Sequence, residues 1–350
     1  MAERVRIGFV GVGGMGQAAH LRNYVTLGDC QVVAIAEIRP KLGADVARRY
    51  GVPAVYTSHL EMLKKEKLDG IVSAQPFQRH GVLLPDLLKA KVPLLTEKPL
   101  SGSIEQGEKV LQAIKASGTW HMVGYHKRSD PATEYAKVEI DKLKASGELG
   151  KMRYVRIVMP AGDWIANGFY QNTWSEEKAS DLQFEPQASD MDKPTYDKYI
   201  WFVNYYIHQV NLMRFLLGES YKPVFADKAG VLLVGQSTSG ITCAIEMSPF
   251  QTKVDWQESA MVCFEKGWIK IELPAPLTIN RAGKVTIYKD TGEGTPMECS
   301  PTLPWISAMQ NQAANFVKAI KGEKKPPCEA AEAMEDLKVA REYLRLLLGK

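Results

Sequence analysis

The sequence predicts an α/β chain in which a doubly wound parallel sheet is followed by an α+β domain with a large, mostly antiparallel sheet. Over residues 1–126, short apolar segments alternate with helical segments, which is the pattern of parallel βαβ units. Over residues 224–289, alternating apolar and polar segments follow one another without helices, which is typical of antiparallel strands. We therefore expect a dinucleotide-binding domain at residues 1–126 and a substrate-binding and oligomerisation domain at residues 127–350.

The composition argues against several classes of protein. The chain has 350 residues, 45% of them hydrophobic, and a net charge of +4, which is ample for two domains. Its basic residues form no dense cluster with aromatic ones, so we expect no nucleic-acid partner. No apolar stretch approaches the roughly 20 residues that span a bilayer, so we expect no membrane partner. The first strand leaves no room for a signal peptide, and the scattered cysteines indicate reduced thiols, so we expect a cytoplasmic protein.

The first βα unit carries a glycine turn. Apolar residues over 5–10 predict a buried strand, and residues 15–27 predict a helix. The glycines between them have the spacing G-x-G-x-x-G, in which the first permits a tight turn, the second admits a pyrophosphate and the third lets helix and strand pack closely. The helix N-terminus offers free amide groups to phosphates. We therefore assign cofactor binding to this loop, namely Gly11, Gly13, Gly14, Met15 and Gly16.

A second apolar segment strengthens the cofactor assignment. Residues 31–36 predict a strand that ends in Glu37, 21 residues after Gly16, which is the position of a ribose-binding acid in a dinucleotide fold. Glu37 would accept hydrogen bonds from the ribose of NAD and repel the 2′-phosphate of NADP, while Arg39 could soften that repulsion. We therefore expect NAD, with NADP as the less favoured cofactor.

The remaining elements of the first domain continue the alternation. Strands are predicted near 54–56, 69–74, 92–96 and 122–125, and helices over 41–50, 60–65, 81–90 and 104–117. Ligands bind at the carboxyl ends of the strands in such sheets. The residues that follow two of these strands are therefore predicted to contact the cofactor, namely Gln75, Pro76, His80, Glu97 and Lys98.

The second half of the chain has a different pattern. A long aromatic and acidic stretch over 162–202 precedes a predicted helix over 204–217. Further helices are predicted over 133–145, 307–320 and 328–348, and strands over 152–159, 224–234, 239–246, 254–264, 268–273 and 284–289. The closing helix 328–348 is expected to pack back toward the first domain.

Several local features, in this order, resemble the Gfo/Idh/MocA oxidoreductases, the relatives of glucose–fructose oxidoreductase and inositol dehydrogenase. They are Gly11-Val12-Gly13-Gly14-Met15-Gly16, Glu97-Lys98-Pro99, Gly147-Glu148-Leu149-Gly150 and a helix that bears His208. Arg128-Ser129-Asp130-Pro131 also resembles the family's segment between its two domains. The combination of the glycine turn with E-K-P at a strand end is the specific part of the resemblance, which covers nearly the whole chain.

The resemblance implies a nicotinamide cofactor and a sugar, cyclitol or related polyol as substrate. It also implies a homo-oligomer, a dimer or a tetramer. Many members of the family have an Asp four residues before the catalytic His, but Asn204 stands there in this chain. Asn can hydrogen-bond a substrate or the His but supplies no negative charge. Besides Asn204, we predict substrate contacts for Tyr125, Arg128 and Trp164.

Two residues are predicted to handle the proton and the oxygen of the substrate. Oxidation of an alcohol needs a base for the hydroxyl proton and a positive group near the developing alkoxide. Lys98 ends a strand at the ligand edge, and without the motif it would be an ordinary exposed lysine. His208 lies between Asn204 and Asn211 on a predicted apolar helix, where a polar stripe indicates a cavity wall more than a core. We predict both as catalytic residues and substrate contacts, with Asn204 as the third catalytic residue, and we expect His80 to cap a helix or pack on the cofactor.

The aromatic stretch allows two interpretations. Its rings, among them Trp164, Phe169 and Trp174, could form a substrate wall or lid that accepts something larger than a free monosaccharide. Alternatively, they could pack the domain or a subunit interface. The interleaved acids lack metal-ligand spacing, so we expect no metal.

The leading function is an NAD-dependent dehydrogenase of a sugar, glycoside or cyclitol. One alternative is a redox-neutral glycoside-modifying enzyme that oxidises, eliminates or epimerises, and then re-reduces with a retained cofactor. Another is a non-catalytic sensor, against which the presence of both Lys98 and His208 argues.

Overall fold

The computed structural model describes residues 3–248, 250 and 252–349, so residues 1, 2, 249, 251 and 350 of the predicted domains lie outside the described residues. The chain forms two compact units, and each is discontinuous in sequence. The first consists of Met1–Tyr125, Gly168–Ile200 and Gln312–Leu337, and the second of His126–Asn167, Trp201–Asn311 and Lys338–Lys350. The domains predicted at 1–126 and 127–350 are continuous. The difference arises because two segments from the second half of the sequence group with the first unit.

The first unit contains a parallel sheet. Its strands are β1 (Val5–Val10), β2 (Cys30–Ala36), β3 (Ala54–Tyr56), β4 (Gly70–Ser73), β5 (Leu94–Glu97) and β6 (His121–Gly124). Their order is β3-β2-β1-β4-β5-β6, and every pair is parallel. The strand order therefore reverses between β1 and β4, which is the point at which doubly wound sheets bind ligands.

The helical segments of this part of the chain follow the prediction closely. A π-helical segment (Gly16–Leu21) continues into the short helix α1 (Arg22–Tyr24), and the others are α2 (Pro40–Tyr50), α3 (His59–Lys65), a 3₁₀ turn (Phe77–Arg79), α4 (His80–Leu88) and α5 (Ile104–Ser117). In the core of this unit, Tyr24 contacts Phe9 and Phe316 edge to face, with ring centroids 5.4 and 6.4 Å apart. Phe316 shows why residues from the end of the chain belong here.

The second unit contains a mostly antiparallel sheet. Its strands are β7 (Met152–Val158), β8 (Tyr221–Ala226), β9 (Leu232–Ser237), β10 (Thr242–Glu246), β11 (Ser259–Phe264), β12 (Gly267–Glu272), β13 (Lys284–Lys289) and β14 (Met297–Cys299). The order is β14-β13-β12-β11-β7-β10-β9-β8, and only β7 and β10 pair in parallel among the described residues. The predicted fold class is confirmed.

The remaining helices are α6 (Pro131–Ser146), α7 (Lys193–Tyr205), α8 (Ile207–Leu217), α9 (Ala308–Ile320) and α10 (Ala330–Leu348). Asp130 caps α6 by accepting a hydrogen bond from the Ala132 amide, and Gly147 ends it with a positive φ of 69°. None of the helices in the described parts of the chain is long and apolar enough to span a membrane.

Two predicted elements are corrected by the structure. The single strand predicted over 224–234 is two antiparallel strands, because Asp227 and Gly230 form a turn between β8 and β9. The single helix predicted over 204–217 is interrupted at Tyr206, where α7 has ended and α8 has not begun. Neither a glycine nor a proline marks that break in the sequence.

Candidate active site

The glycine loop of the first unit can be built only with glycine at two positions. Gly11 has a φ of +88°, and a Cβ there would lie 2.7 Å from the Ala74 carbonyl oxygen. A Cβ at Gly16 would lie 2.5 Å from the Gly11 carbonyl oxygen, so the π-helical segment packs directly on the end of β1. These are the close approaches that a dinucleotide-binding turn requires. The residues present therefore fit a bound dinucleotide.

The predicted ribose-binding acid lies at the end of β2 and is held firmly. Only 3% of Glu37 is exposed, and its Oε2 accepts a hydrogen bond of 3.0 Å from the Val12 amide. Arg39 donates from Nε to Oε1 over 2.6 Å and from Nη2 to Oε2 over 3.0 Å. The hydrogen bond to Glu37 raises the pKa of the Arg39 guanidinium. The carboxylate thus lies beside the glycine loop with a cation paired to it.

A cavity of about 220 Å³ lies between the glycine loop and Glu37. This is less than the roughly 300–1,000 Å³ of most small-molecule sites, so it has room for only part of a dinucleotide. Its wall contains half of the predicted cofactor contacts and two residues from the second half of the sequence. They are Gly11, Gly13, Glu37, Arg39, Gln75 and Pro76, together with Ala179 and Leu182. The described part of this wall does not include His80, Glu97 or Lys98.

Glu97 ends β5 with its carboxylate against the helix that follows the glycine loop. Its Oε1 lies 2.6 Å from Nε2 of His20, a residue that the sequence analysis missed. Burial acts to raise the pKa of Glu97, but the hydrogen bond and charge of His20, together with the charge of Lys98, hold that pKa below its ordinary value. Glu97 is therefore an ionised anchor between β5 and the glycine-loop helix.

Lys98 follows directly at the carboxyl end of β5. It is half-buried, and the Lys98–Pro99 peptide bond is cis. The strand places Lys98 at the edge of the sheet that also carries the glycine loop and Gln75. An ammonium group at this edge can donate a hydrogen bond to a ligand oxygen.

His80 begins α4 and lies inside the first unit. Its Nδ1 donates to the Leu100 carbonyl oxygen over 3.0 Å, and burial lowers its pKa to about 4. The imidazole is therefore neutral at pH 7 and links α4 to the loop after β5. Tyr125, predicted to contact substrate, is also buried, with 2% of its surface exposed.

His208, the predicted acid/base of the second unit, is half-buried on α8. Its ring meets that of His126 edge to face, with centroids 4.4 Å apart. Asn204 is exposed and lies on α7. Tyr206, between α7 and α8, keeps a right-handed helical conformation, and its amide donates to the Phe202 carbonyl oxygen over 2.7 Å. The irregularity there is local, and the acid/base role of His208 stays a prediction.

Arg128 and Asn211 link the 3₁₀ segment His126–Ser129 to α8. Both are buried, and Arg128 Nε donates to Asn211 Oδ1 over 2.7 Å. The Arg128 guanidinium also lies 4.7 Å from the centre of the Phe215 ring. These contacts give the Arg128 side chain a structural role. Trp164, another predicted substrate contact, is only half-buried, so part of its surface is open to solvent.

A buried charged network lies next to His208 in the chain. Lys127 Nζ donates to Glu258 Oε2, and Gln209 Nε2 donates to Glu258 Oε1 over 2.7 Å. Glu258 also lines an open cavity of about 960 Å³, whose wall includes Asp163 and Arg281. The second unit thus offers carboxylate and guanidinium groups suited to the hydroxyls of a polyol.

Comparisons with known proteins agree with this geometry. Residues 5–125 match the model of the family described as "Oxidoreductase family, NAD-binding Rossmann fold". The chain is 30% identical over 151 residues to inositol 2-dehydrogenase of Rubrobacter xylanophilus, covering 43% of this chain and 42% of that protein. It is 25% identical to the scyllo-inositol 2-dehydrogenase (NAD(+)) of Bacillus subtilis, covering 64% and 57%. Both alignments thus span less than two thirds of the relative's length.

Residues 5–125 thus match the NAD-binding domain of the Gfo/Idh/MocA oxidoreductases, the family that the sequence resembles. A crystal structure of aldose-aldose oxidoreductase from Caulobacter crescentus has the same fold, with a TM-score of 0.71 at 18% identity over 99% of this chain and 98% of that one. The predicted resemblance is confirmed. Residues 5–125 of the first unit form an NAD-binding Rossmann domain, as predicted. The ribose-binding role of Glu37 stays a prediction.

Residues 168–185 also belong to the first unit, although they lie in the second half of the sequence. They bring Asn172, Thr173, Glu177 and Glu185 onto the Rossmann domain. No local pattern could have placed them there, since Gln17 and Thr173 are 156 residues apart. No group of three or more His, Cys, Asp or Glu side chains arranged for a metal occurs among the described residues.

Proposed function

We propose that this oxidoreductase is an NAD-dependent dehydrogenase that transfers a hydride between the cofactor and a ring hydroxyl of a cyclitol or sugar. The observation that carries the proposal is Lys98 at the carboxyl end of β5, in the same unit as the glycine loop and the buried Glu37. The similarity to two inositol dehydrogenases supports a cyclitol as the first substrate class to test. We also propose a cytoplasmic location and a homo-oligomer, a dimer or a tetramer.

The reaction converts a secondary alcohol to a ketone. NAD, when bound, supplies the hydride acceptor, and the hydroxyl proton passes to a base of the protein. We assign to Lys98 a hydrogen bond to the reacting oxygen, because a positive donor stabilises the alkoxide that forms as the proton leaves. Glu97, held by His20, fixes the backbone from which Lys98 extends.

We assign the proton transfer to His208. An imidazole titrates near neutral pH, so it can take a proton in one direction and return it in the other. The ring of His126 packs against it and orients it. Asn204 carries no charge, so the imidazolium has no carboxylate partner at the position where many relatives have an Asp. Trp164, half-buried in the same unit, is retained as a substrate contact.

The proposal is tested by cofactor reduction. The purified chain is given excess NAD, and then NADP, with myo-inositol, scyllo-inositol, monosaccharides and aryl glycosides, while absorbance at the nicotinamide band is followed. We expect reduction with NAD and a cyclitol or sugar, and its loss in Lys98→Met and His208→Gln. Lys89→Met is the matched control, because Lys89 is an exposed lysine of the same unit. Absence of reduction by a chain that binds NADH would contradict the proposal.

A further inference from the structure

Residues 168–185, here called the covering segment, lie on the glycine loop. In the sequence they fall between β7 and α7, but they belong to the Rossmann unit. The nearest atoms to a Cβ placed at Gly14 would be those of Trp174, at 3.2 Å, and Phe169, at 3.6 Å. These two rings meet edge to face, with centroids 6.2 Å apart. Gly14 is one of the residues assigned to the cofactor pyrophosphate, so aromatic rings cover that part of the loop.

Three hydrogen bonds attach the covering segment to Gly14 and to Gln17 of the π-helical segment. Asn172 Nδ2 donates to the Gly14 carbonyl oxygen over 3.0 Å. The side chain of Gln17 donates from Nε2 to the Thr173 carbonyl oxygen over 2.9 Å and accepts from the Thr173 amide over 2.8 Å. Gln17 is fully buried. A pair of bonds of this kind aligns the backbone of the segment as a neighbouring strand would, so the attachment is directional.

A second attachment joins the covering segment to α2, next to the 220 Å³ cavity. The Glu177 carboxylate accepts hydrogen bonds from the amides of Lys41, over 3.2 Å, and Leu42, over 2.9 Å, in the first turn of α2. A carboxylate at a helix N-terminus is stabilised by the unpaired amides and the helix dipole. The residues that follow, Ala179 and Leu182, form part of the wall of the 220 Å³ cavity.

A third attachment ends the covering segment. The Glu185 carboxylate accepts hydrogen bonds from the amides of Gly81, over 2.6 Å, and Gly102, over 2.8 Å. Gly81 lies in the first turn of α4, and Gly102 follows β5. The Glu185 amide also donates to the Gln78 carbonyl oxygen over 2.7 Å. The segment is thereby fixed to the loops at the carboxyl ends of β4 and β5 as well.

We propose that residues 168–185 cover the cofactor site and that NAD enters and leaves only after the segment has detached from the glycine loop. The proposal rests on the cofactor use in the proposed function. With contacts at the start of the π-helical segment, at α2 and at α4, the segment closes the cavity wall next to Glu37 and Arg39. Detachment breaks the hydrogen bonds of these attachments, so cofactor exchange is slow in both directions.

The test is the rate of NADH exchange. NADH bound to the purified chain is displaced by excess ADP-ribose in a stopped-flow instrument, and the fluorescence of the bound nicotinamide is followed. We expect release from Asn172→Ala and Trp174→Ala to be at least about tenfold faster than from the wild-type chain, and NADH association to be faster as well, because a barrier that is removed speeds both directions. Tyr170→Ala is the matched control, since its ring is 81% exposed on the same segment.

Protease access gives a second readout that does not depend on fluorescence or turnover. Lys178 is exposed within the covering segment, so trypsin can cleave after it when the segment detaches. We expect NADH to slow this cleavage in the wild-type chain and to slow it less in Trp174→Ala. If the chain binds NADH but its exchange rates equal those of both variants, the covering role is wrong and the proposed function stands. A wild-type chain that binds no NADH contradicts both.

Discussion

Arg39 donates two hydrogen bonds to the carboxylate of Glu37, from Nε to Oε1 over 2.6 Å and from Nη2 to Oε2 over 3.0 Å. The acid predicted to favour NAD over NADP is therefore paired with the guanidinium two positions later. Its other partner, the Val12 amide, belongs to the glycine loop itself. Cofactor preference thus depends on a balance between one buried anion and one cation at its side.

This balance predicts opposite effects of two substitutions on cofactor preference. Glu37→Gln removes the charge that repels the 2′-phosphate, so the ratio of Kd for NADPH to Kd for NADH should fall about tenfold, which corresponds to about 1.4 kcal/mol. Arg39→Ala leaves the anion without its cation, so the ratio should rise. Fluorescence titration with each reduced cofactor measures both. Arg48→Ala, exposed on α2, is the control, and a shift of both variants in one direction would refute the balance.

Lys98→Met should lower kcat by at least about 100-fold, because removal of one positioned donor to a developing oxyanion has an effect of that size. The Kd for NADH should change little, since Lys98 does not line the described wall of the 220 Å³ cavity beside Glu37. Steady-state kinetics and NADH titration measure the two quantities. Near-normal turnover would remove Lys98 from the reaction, whereas a large loss of NADH binding would make it a cofactor ligand instead.

The first unit could be predicted from sequence because its signals are local. The glycine turn, Glu37 and Lys98 each lie directly after a short apolar strand, and parallel strands bring their carboxyl ends to one edge. Strand and helix periodicity also gave α5 its bounds, with Ser103 as N-cap and Gly118 as C-cap. The specific part of the family resemblance, the glycine turn combined with E-K-P at a strand end, lies in this same unit.

The covering segment could not be predicted, because nothing in its own residues identifies its partners. Glu185 finds the Gly81 amide 104 residues earlier in the chain, and both donors to the Glu185 carboxylate are backbone groups that the sequence does not mark. The stretch was expected to form either a substrate wall or an interface. Its first part packs on the first unit, and aromatic composition alone does not identify that unit as its partner. Similarly, no residue type marks the local irregularity at Tyr206, between α7 and α8.

Glu185 makes the attachment of the covering segment dependent on pH. Burial raises the pKa of this carboxyl to about 7, while the amides of Gly81 and Gly102 and the charge of Lys109 act against the rise. Its pKa is higher in the folded chain than in the unfolded one, so the protonated form stabilises the fold. That stabilisation is complete below the ordinary pKa of a glutamic acid and is lost as pH rises through about 7.

The free energy of unfolding of the wild-type chain should therefore fall, relative to Glu185→Gln, as pH rises from 5 to 8. The slope is at most about 1.4 kcal/mol per pH unit. Urea unfolding at a series of pH values measures it, and Glu176→Gln, an exposed acid on the same segment, is the control. Tyr196, whose hydroxyl lies near Gly102, stays neutral over this range, because burial raises its pKa. A difference that does not vary with pH would show that Glu185 keeps one charge state throughout.

In the second unit, the ion pair of Lys127 and Glu258 predicts a large loss of stability from Glu258→Ala. Both side chains are almost fully buried, at 4% and 0% exposure, so the substitution leaves an ammonium group without its partner in the interior. Such changes cost about 3–5 kcal/mol. Glu258→Gln keeps an acceptor for one donor and should cost less.

The comparison that isolates burial uses a second ion pair of the same unit. Lys289 and Glu148 are partly exposed, and their nitrogen and oxygen lie 2.9 Å apart, so Glu148→Ala should cost at most about 1 kcal/mol. Urea unfolding of both variants at pH 7 measures the difference. If Lys127→Met with Glu258→Leu restores stability beyond the single Glu258→Ala variant, the loss comes from the uncompensated Lys127 charge. Equal losses in Glu258→Ala and Glu148→Ala would instead mean that water reaches Lys127 and that the network is not sealed from solvent.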